Sequence, residues 1–172
     1  VTHASSSMTF FGVDPGTRVT GYGVVSVVNN TVEWVDSGVL RARAGAQLPE
    51  KLAGIYDGLS EKIARHSPRC VCVEQAFYGK NARTALVLGL ARGVALLAAR
   101  KSGVNVVEYS PLEIKKSVVG SGRATKEQVS YMVHMLLHPP QESAQEDACD
   151  ALAAALCAFY HHKAGEVLAT GR

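Results

Sequence analysis

Residues 10–25 read FFGVDPGTRVTGYGVV: an apolar run that stops at Asp14, a turn through Pro15 and Gly16, and a second apolar run. Read as two strands joined by DPGT, the stretch leaves a lone carboxylate at the tip of an otherwise buried strand. Pro15 biases the residue before it toward extended geometry, which holds the Asp14 side chain at the strand end. DPGT and Asn29-Asn30 both suit the positive φ of tight turns. Strands over 9–14, 20–28 and 31–40 therefore form an antiparallel meander.

Beyond the meander the period changes. Leu52, Ile55, Tyr56, Leu59 and Ile63 fall at the spacing of an amphipathic helix over 49–66, ended by Ser67-Pro68. CVCVEQ at 70–75 reads as a short buried strand. A helix follows over 82–101, with Leu86, Leu90, Val94 and Leu97 on one face and Gly89 and Gly93 one turn apart. An interior glycine costs about 1 kcal/mol relative to alanine, so the pair implies close packing, either on the sheet of the same subunit or on a second copy. VNVVEY at 104–109 is a fifth strand. Ser110 with Glu113, Thr125 with Gln128 and Ser143 with Glu146 mark three further helix starts. The order gives an α/β fold: a mixed five-stranded sheet, three antiparallel strands and then parallel ones, flanked by helices. One domain is expected over 9–163, with 1–8 an extension and 164–172 a C-terminal tail.

At 172 residues and 47% apolar content, the chain suits one domain with a substantial core. Its uninterrupted apolar runs fall short of the roughly 20 residues that cross a bilayer, so a soluble, cytoplasmic protein is expected. The four cysteines show no CxxC spacing and read as small reduced core residues. Net charge is only +3, yet residues 75–126 hold nine Lys or Arg against Glu108 and Glu113. That basic middle suggests a surface facing a polyanion.

The acids lie elsewhere. Asp14 and Glu74 each stand at the carboxyl end of a strand, where sites gather in parallel sheets. EDACD at 146–150 opens the last helix, and Asp147 and Asp150, three apart, share a helical face. Carboxylates in a first turn are favoured by the helix dipole alone. Combined with two strand-tip acids, however, they form an oxygen-rich set suited to Mg²⁺ or Mn²⁺. A pair of such ions can activate a water and stabilise the leaving oxygen of a phosphoryl displacement. DPGTRVTG is no P-loop, since it lacks GK[ST] and leads into a strand. His134 and His138 have ligand-like spacing but no third partner.

Four collinear blocks, GVDPGTRVTGYGVV, VEQAFYGKNARTALVLGLARGV, EYSPLEIKKSVVGSGRATKEQV and DACDALAAAL, closely resemble the RuvC family of Holliday-junction resolvases. The resemblance implies a ribonuclease H-like fold, a homodimer, and Mg²⁺-dependent endonuclease action on four-way DNA junctions with two ions per site, alongside a branch-migration helicase complex. It places the catalytic, metal-holding acids on Asp14, Glu74, Asp147 and Asp150, the four selected above. It places a base-stacking aromatic on Phe77 and basic positions on Lys115 and Lys126. Tyr78, Lys80, Arg83, Lys116 and Arg123 join the DNA-binding candidates, Tyr78 as a second aromatic and the others by charge. A junction-binding module that does not cut, and a ribonuclease H-like nuclease acting on RNA, are the alternatives, because fold alone does not select a substrate.

Overall fold

A computed structural model of the chain describes residues 7–75, 81–143 and 145–170, with side chains up to 165. Strands β1 (Met8–Asp14), β2 (Val19–Val28) and β3 (Thr31–Arg41) form the meander. Helix α1 (Leu48–His66) leads to β4 (Cys70–Glu74), and α2 (Ala82–Lys101) leads to β5 (Asn105–Tyr109). Three helices follow, α3 (Pro111–Val119), α4 (Lys126–Leu137) and α5 (Glu146–Thr170). The sheet order is β3-β2-β1-β4-β5, with β1 antiparallel to β2 and parallel to β4. The mixed sheet expected from the sequence is thus present. Residues 164–170 continue α5, where a tail was expected, and Met8 belongs to β1 instead of to a leading extension.

Alternation along β1 divides the core between the two faces. Phe11 and Val13 join Val24, Val71 and Val73 under α1 and α2, while Phe10 joins Val25, Cys72 and the helices α3, α4 and α5. By the same parity Gly12, Asp14 and Glu74 share the α5 face.

That face is shaped by missing side chains. A Cβ at Gly12 would overlap the carbonyl of Ala151, and one at Gly21 would overlap the carbonyl of Asp147. The α5 backbone therefore lies directly on β1 and β2. The alanines of ALAAALCA, all buried, keep that contact thin along the helix.

Three expectations change. Asn29 and Asn30 do adopt positive φ, at 51° and 65°, but Gly16 does not. Gly16 is needed for space, since a Cβ there would collide with the carbonyl of Val19, and the turn is closed by the Thr20 hydroxyl donating to the Gly16 carbonyl at 2.6 Å. Ser143 is not the start of α5: it ends a single 3₁₀ turn (Gln141–Ser143), and its carbonyl accepts from the Ser37 hydroxyl at 3.1 Å. The other two capping boxes form as expected, whereas the box joining Gln47 and Glu50 at the start of α1 carries no Ser or Thr to announce it.

The third change concerns α2. It buries Ala91, Ala95, Ala98 and Ala99, leaving Leu86 72%, Leu90 47% and Leu97 51% exposed. Nothing lies within 4 Å of a Cβ built at Gly89 or Gly93, so the glycine pair packs on no described part of its own subunit. The helix is long and apolar enough, by length and composition alone, to cross a membrane. It nevertheless lies against α1 and the sheet and carries Arg83, Arg92, Arg100 and Lys101.

Candidate active site

Parity and register bring the first two acids together. Val13 pairs with Val73 in the parallel β1–β4 ladder, so Asp14 and Glu74 are level neighbours one position further on, both turned toward α5. The α5 helix, set down on Gly12 and Gly21, carries its first turn over the same sheet edge. Asp14, Glu74 and Asp150 line one cleft of about 500 Å³, together with Lys115 and Lys126. Leu112 forms part of its lip, exposed on α3 and packed over Gly122. Asp147 opens on the neighbouring surface, beside Arg18 and Arg83.

These carboxylates oppose one another. Burial, then the charges of Asp150 and Asp147, push the Asp14 carboxyl up to about 7 despite relief from Lys126. Burial and the charges of Asp14 and Asp150 push Glu74 to about 8, with Lys126 and Lys115 acting against the shift. A bound divalent cation would relieve such mutual opposition. The compensating charge is Lys126, whose ammonium donates to Asp150 and to Glu146, each at 3.0 Å. Those hydrogen bonds hold the lysine well above its ordinary range.

Among the described residues, no three His, Cys, Asp or Glu side chains converge closely enough to hold a metal ion. The donor chemistry nonetheless fits a hard divalent cation: four carboxylates, no sulfur or nitrogen, two of them raised far above their usual range. The Asp150 carboxylate is engaged by Lys126.

The candidate cations divide. Lys115 and Lys126 face the acids, Arg83 borders Asp147, and Lys116 and Arg123 are exposed outside the cleft. Phe77, Tyr78 and Lys80 lie outside the described residues. Glu146 went unmarked as a partner of Lys126, because the pairing spans two helices 20 residues apart in sequence. His134 and His138 play local parts: the His134 ring bonds the Ser130 carbonyl at 2.7 Å, and His138 closes α4 with a φ of 46°. No disulfide joins the four cysteines, three of which are buried.

Comparison with known proteins bears on this arrangement. The family profile described as crossover junction endodeoxyribonuclease RuvC matches residues 10–158. A protein of that name from Pelotomaculum thermopropionicum is 47% identical over 155 residues, which cover 90% of this chain and 94% of the relative. Another from Syntrophotalea carbinolica is 51% identical over 150 residues, covering 87% and 92%. Among solved structures, T. thermophilus RuvC in complex with Holliday junction substrate superposes with a TM-score of 0.84 at 30% identity, covering 92% of this chain and 96% of the other. The profile match takes in Asp14, Glu74, Asp147 and Asp150, and the structural likeness agrees with the ribonuclease H-like arrangement expected from the sequence. On this agreement of sequence, fold and acidic cleft, the chain belongs to the RuvC family of crossover junction endodeoxyribonucleases.

Proposed function

We propose that the protein resolves four-way DNA junctions in recombination and repair, hydrolysing one phosphodiester in each of two symmetry-related strands. The observation that carries this reading is the cleft in which Asp14, Glu74 and Asp150 oppose one another beside Lys115 and Lys126. Two Mg²⁺ ions held by Asp14, Glu74, Asp147 and Asp150 would supply water activation and stabilisation of the leaving oxygen, with Mn²⁺ able to replace them. The chain supplies the rest. Asp14, fixed by Pro15 at the end of β1, presents the central carboxylate. Glu74 flanks it from β4, and α5 brings the other two acids down onto the pair. Lys126 pairs with Asp150 and Glu146 and, lining the same cleft as Lys115, would face the scissile phosphate beside it when Asp150 serves as a metal ligand. The products carry a 5′-phosphate and a ligatable 3′-hydroxyl.

A junction of two-fold symmetry calls for a two-fold enzyme. Leu86, Leu90 and Leu97, with Gly89 and Gly93 between them, form an apolar stripe on α2 that no described residue of its own subunit covers. This stripe is assigned to the contact with a second copy. The glycines allow two α2 helices to approach closely, which accounts for keeping both in a helix interior. A Leu86→Glu/Leu90→Glu variant should sediment as a monomer at micromolar concentration and lose paired nicking. A dimer that still resolves junctions would remove α2 from the interface. The other partner is a branch-migration helicase complex, as family membership suggests, and the setting is the cytoplasm.

The reading is tested with a synthetic four-way junction and a linear duplex of the same sequence, each with and without Mg²⁺. Symmetric nicks in the junction alone, and only with Mg²⁺, are expected. Binding without cleavage would leave a recognition module, and preferential cleavage of structured RNA would reassign the substrate. Lys115→Ala should weaken junction binding and lower the slope of log K against log salt by about 0.9, one phosphate contact. An unchanged slope would remove Lys115 from the interface.

A further inference from the structure

The sheet edge that carries the acids also carries cations on the side away from Lys115 and Lys126. Val19 at the start of β2 and Arg41 at the end of β3 are register partners, so Arg18 and Arg41 emerge on the edge where Asp14 ends β1. The backbone N–H of Ala42 donates to the Arg18 carbonyl at 3.0 Å, tying the end of β3 to the loop before β2. Arg43 follows in the next loop, and Lys51 stands in the first turn of α1. Arg18, Arg41, Arg43 and Lys51 all line one open hollow of about 370 Å³. Arg18 also borders the surface that holds Asp147 and Arg83, so the basic strip runs up to the acids without a break.

The strip is short of compensating charge. No ion pair to any of these four residues occurs among the described residues. Arg41 donates to the side-chain oxygen of Gln145 at 2.7 Å, a neutral partner just before α5. Glu50 borders the adjoining hollow beside Lys51, but its carboxylate accepts from the Gln47 backbone at 3.0 Å, and Asp147 belongs to the acidic site. Arg18, Arg41 and Arg43 are exposed.

The shape of the strip selects the ligand. The four side chains come from the β1–β2 loop, the end of β3, the next loop and α1, and they surround one open hollow at the sheet edge, with the three arginines exposed. A small anion is held best in an enclosed pocket, whereas an open, exposed basic surface suits the backbone of an extended polyanion. From Asp14 at the end of β1 to Arg41 at the end of β3 is two strand spacings, roughly 10 Å, so the basic surface begins close beside the acids.

We infer that Arg18, Arg41, Arg43 and Lys51 form a second phosphate-binding track, which holds the backbone of a duplex DNA arm next to the scissile step. This rests on the junction-cutting reading above and adds to it the arm that is gripped and the residues that grip it. The acids then lie between two basic banks, Lys115 and Lys126 on one side and this track on the other. A strand crossing the sheet edge is held on both sides of the cut, and the guanidinium groups supply planar forks suited to phosphate oxygens.

The test is binding of a fluorescein-labelled four-way junction in EDTA, followed across a range of salt, for wild type and two double variants. Arg18→Ala/Arg43→Ala should weaken binding at least tenfold near 0.1 M salt and lower the slope of log K against log salt by about 1.8, two phosphate contacts. Arg65→Ala/Arg69→Ala removes the same charge at the opposite sheet edge and should leave the slope unchanged. Equal losses in the two variants would assign the effect to net charge and overturn the track. An unchanged Arg18→Ala/Arg43→Ala slope, with wild type binding and nicking the junction, would overturn the track alone. Failure of wild type to bind the junction would overturn the functional reading with it. Arg43→Glu guards against compensation by neighbouring arginines: it should weaken binding further than Arg43→Ala, and equal affinities would count against the track.

Discussion

Asp14→Asn should abolish nicking of a four-way junction, by at least ~1,000-fold or about 4 kcal/mol of barrier, while making the metal-free protein more stable. Both effects follow from one position. Asp14 is held at the end of β1 on the face covered by α5, where burial and the charges of Asp150 and Asp147 raise its carboxyl to about 7. The neutral amide keeps the shape but removes the charge that a divalent cation needs. In the unfolded chain an aspartate titrates near 3.9, so between that value and about 7 the folded state retains a proton that the unfolded state has released. Stability carried by this group is therefore full below pH 4 and is lost as pH rises through about 7. Glu74, raised to about 8, behaves alike and extends the window upward. The thermal midpoint of the metal-free wild type should fall from pH 5 to pH 8, and Asp14→Asn should flatten that decline. Added Mg²⁺ should restore the wild type at pH 8 and do little for the variant. Retained Mg²⁺-dependent nicking by Asp14→Asn, or a stability profile indifferent to the substitution, would reject the assignment.

Gly21→Ala should damage stability and catalysis together, without touching a charged residue. Its Cβ would overlap the carbonyl of Asp147, in the first turn of α5. The helix must lift from the sheet there or the strand must bend, and overpacking of this kind costs typically 1–3 kcal/mol, more where backbone meets backbone. Because the same turn carries Asp147 and then Asp150, displacement also moves two of the four acids away from Asp14. A lowered midpoint with residual nicking below a few per cent of wild type is expected. Gly54→Ala in α1 is the control, since nothing lies within 4 Å of its Cβ and alanine favours the helix by about 1 kcal/mol. If Gly21→Ala behaved like Gly54→Ala, the close seating of α5 would not be what positions the acids.

The parts that were legible in the sequence are those coded locally. A carboxylate before Pro15, a glutamate ending CVCVE and two aspartates three apart each announce themselves within a few residues, and the capping boxes at Ser110 and Thr125 do the same. What escaped depends on partners distant in sequence. Gly12 and Gly21 read as ordinary strand glycines until the alanine-rich α5 is laid over them. The leucines of α2 follow a helical period, but the period does not tell which face turns inward. Alanines took the inner face because α2 packs closely, and the leucines were left outside. Lys126 reads in the sequence as one basic residue among several, yet only the meeting of α4 and α5 gives it Asp150 and Glu146 as partners. Arg18, Arg41 and Arg43 lie outside the basic segment 75–126 and come to one edge through the β2–β3 register.

The central claim, that the carboxylates at this sheet edge form the cation site that cuts DNA, is tested most directly by anomalous diffraction from crystals soaked in Mn²⁺ at concentrations that support nicking. A manganese peak within ligand distance of both Asp14 and Glu74 is predicted, with Asp150 turned from Lys126 toward the ion. Crystals whose manganese lies elsewhere, with Asp14 and Glu74 unliganded while the same preparation nicks junctions, would contradict the account.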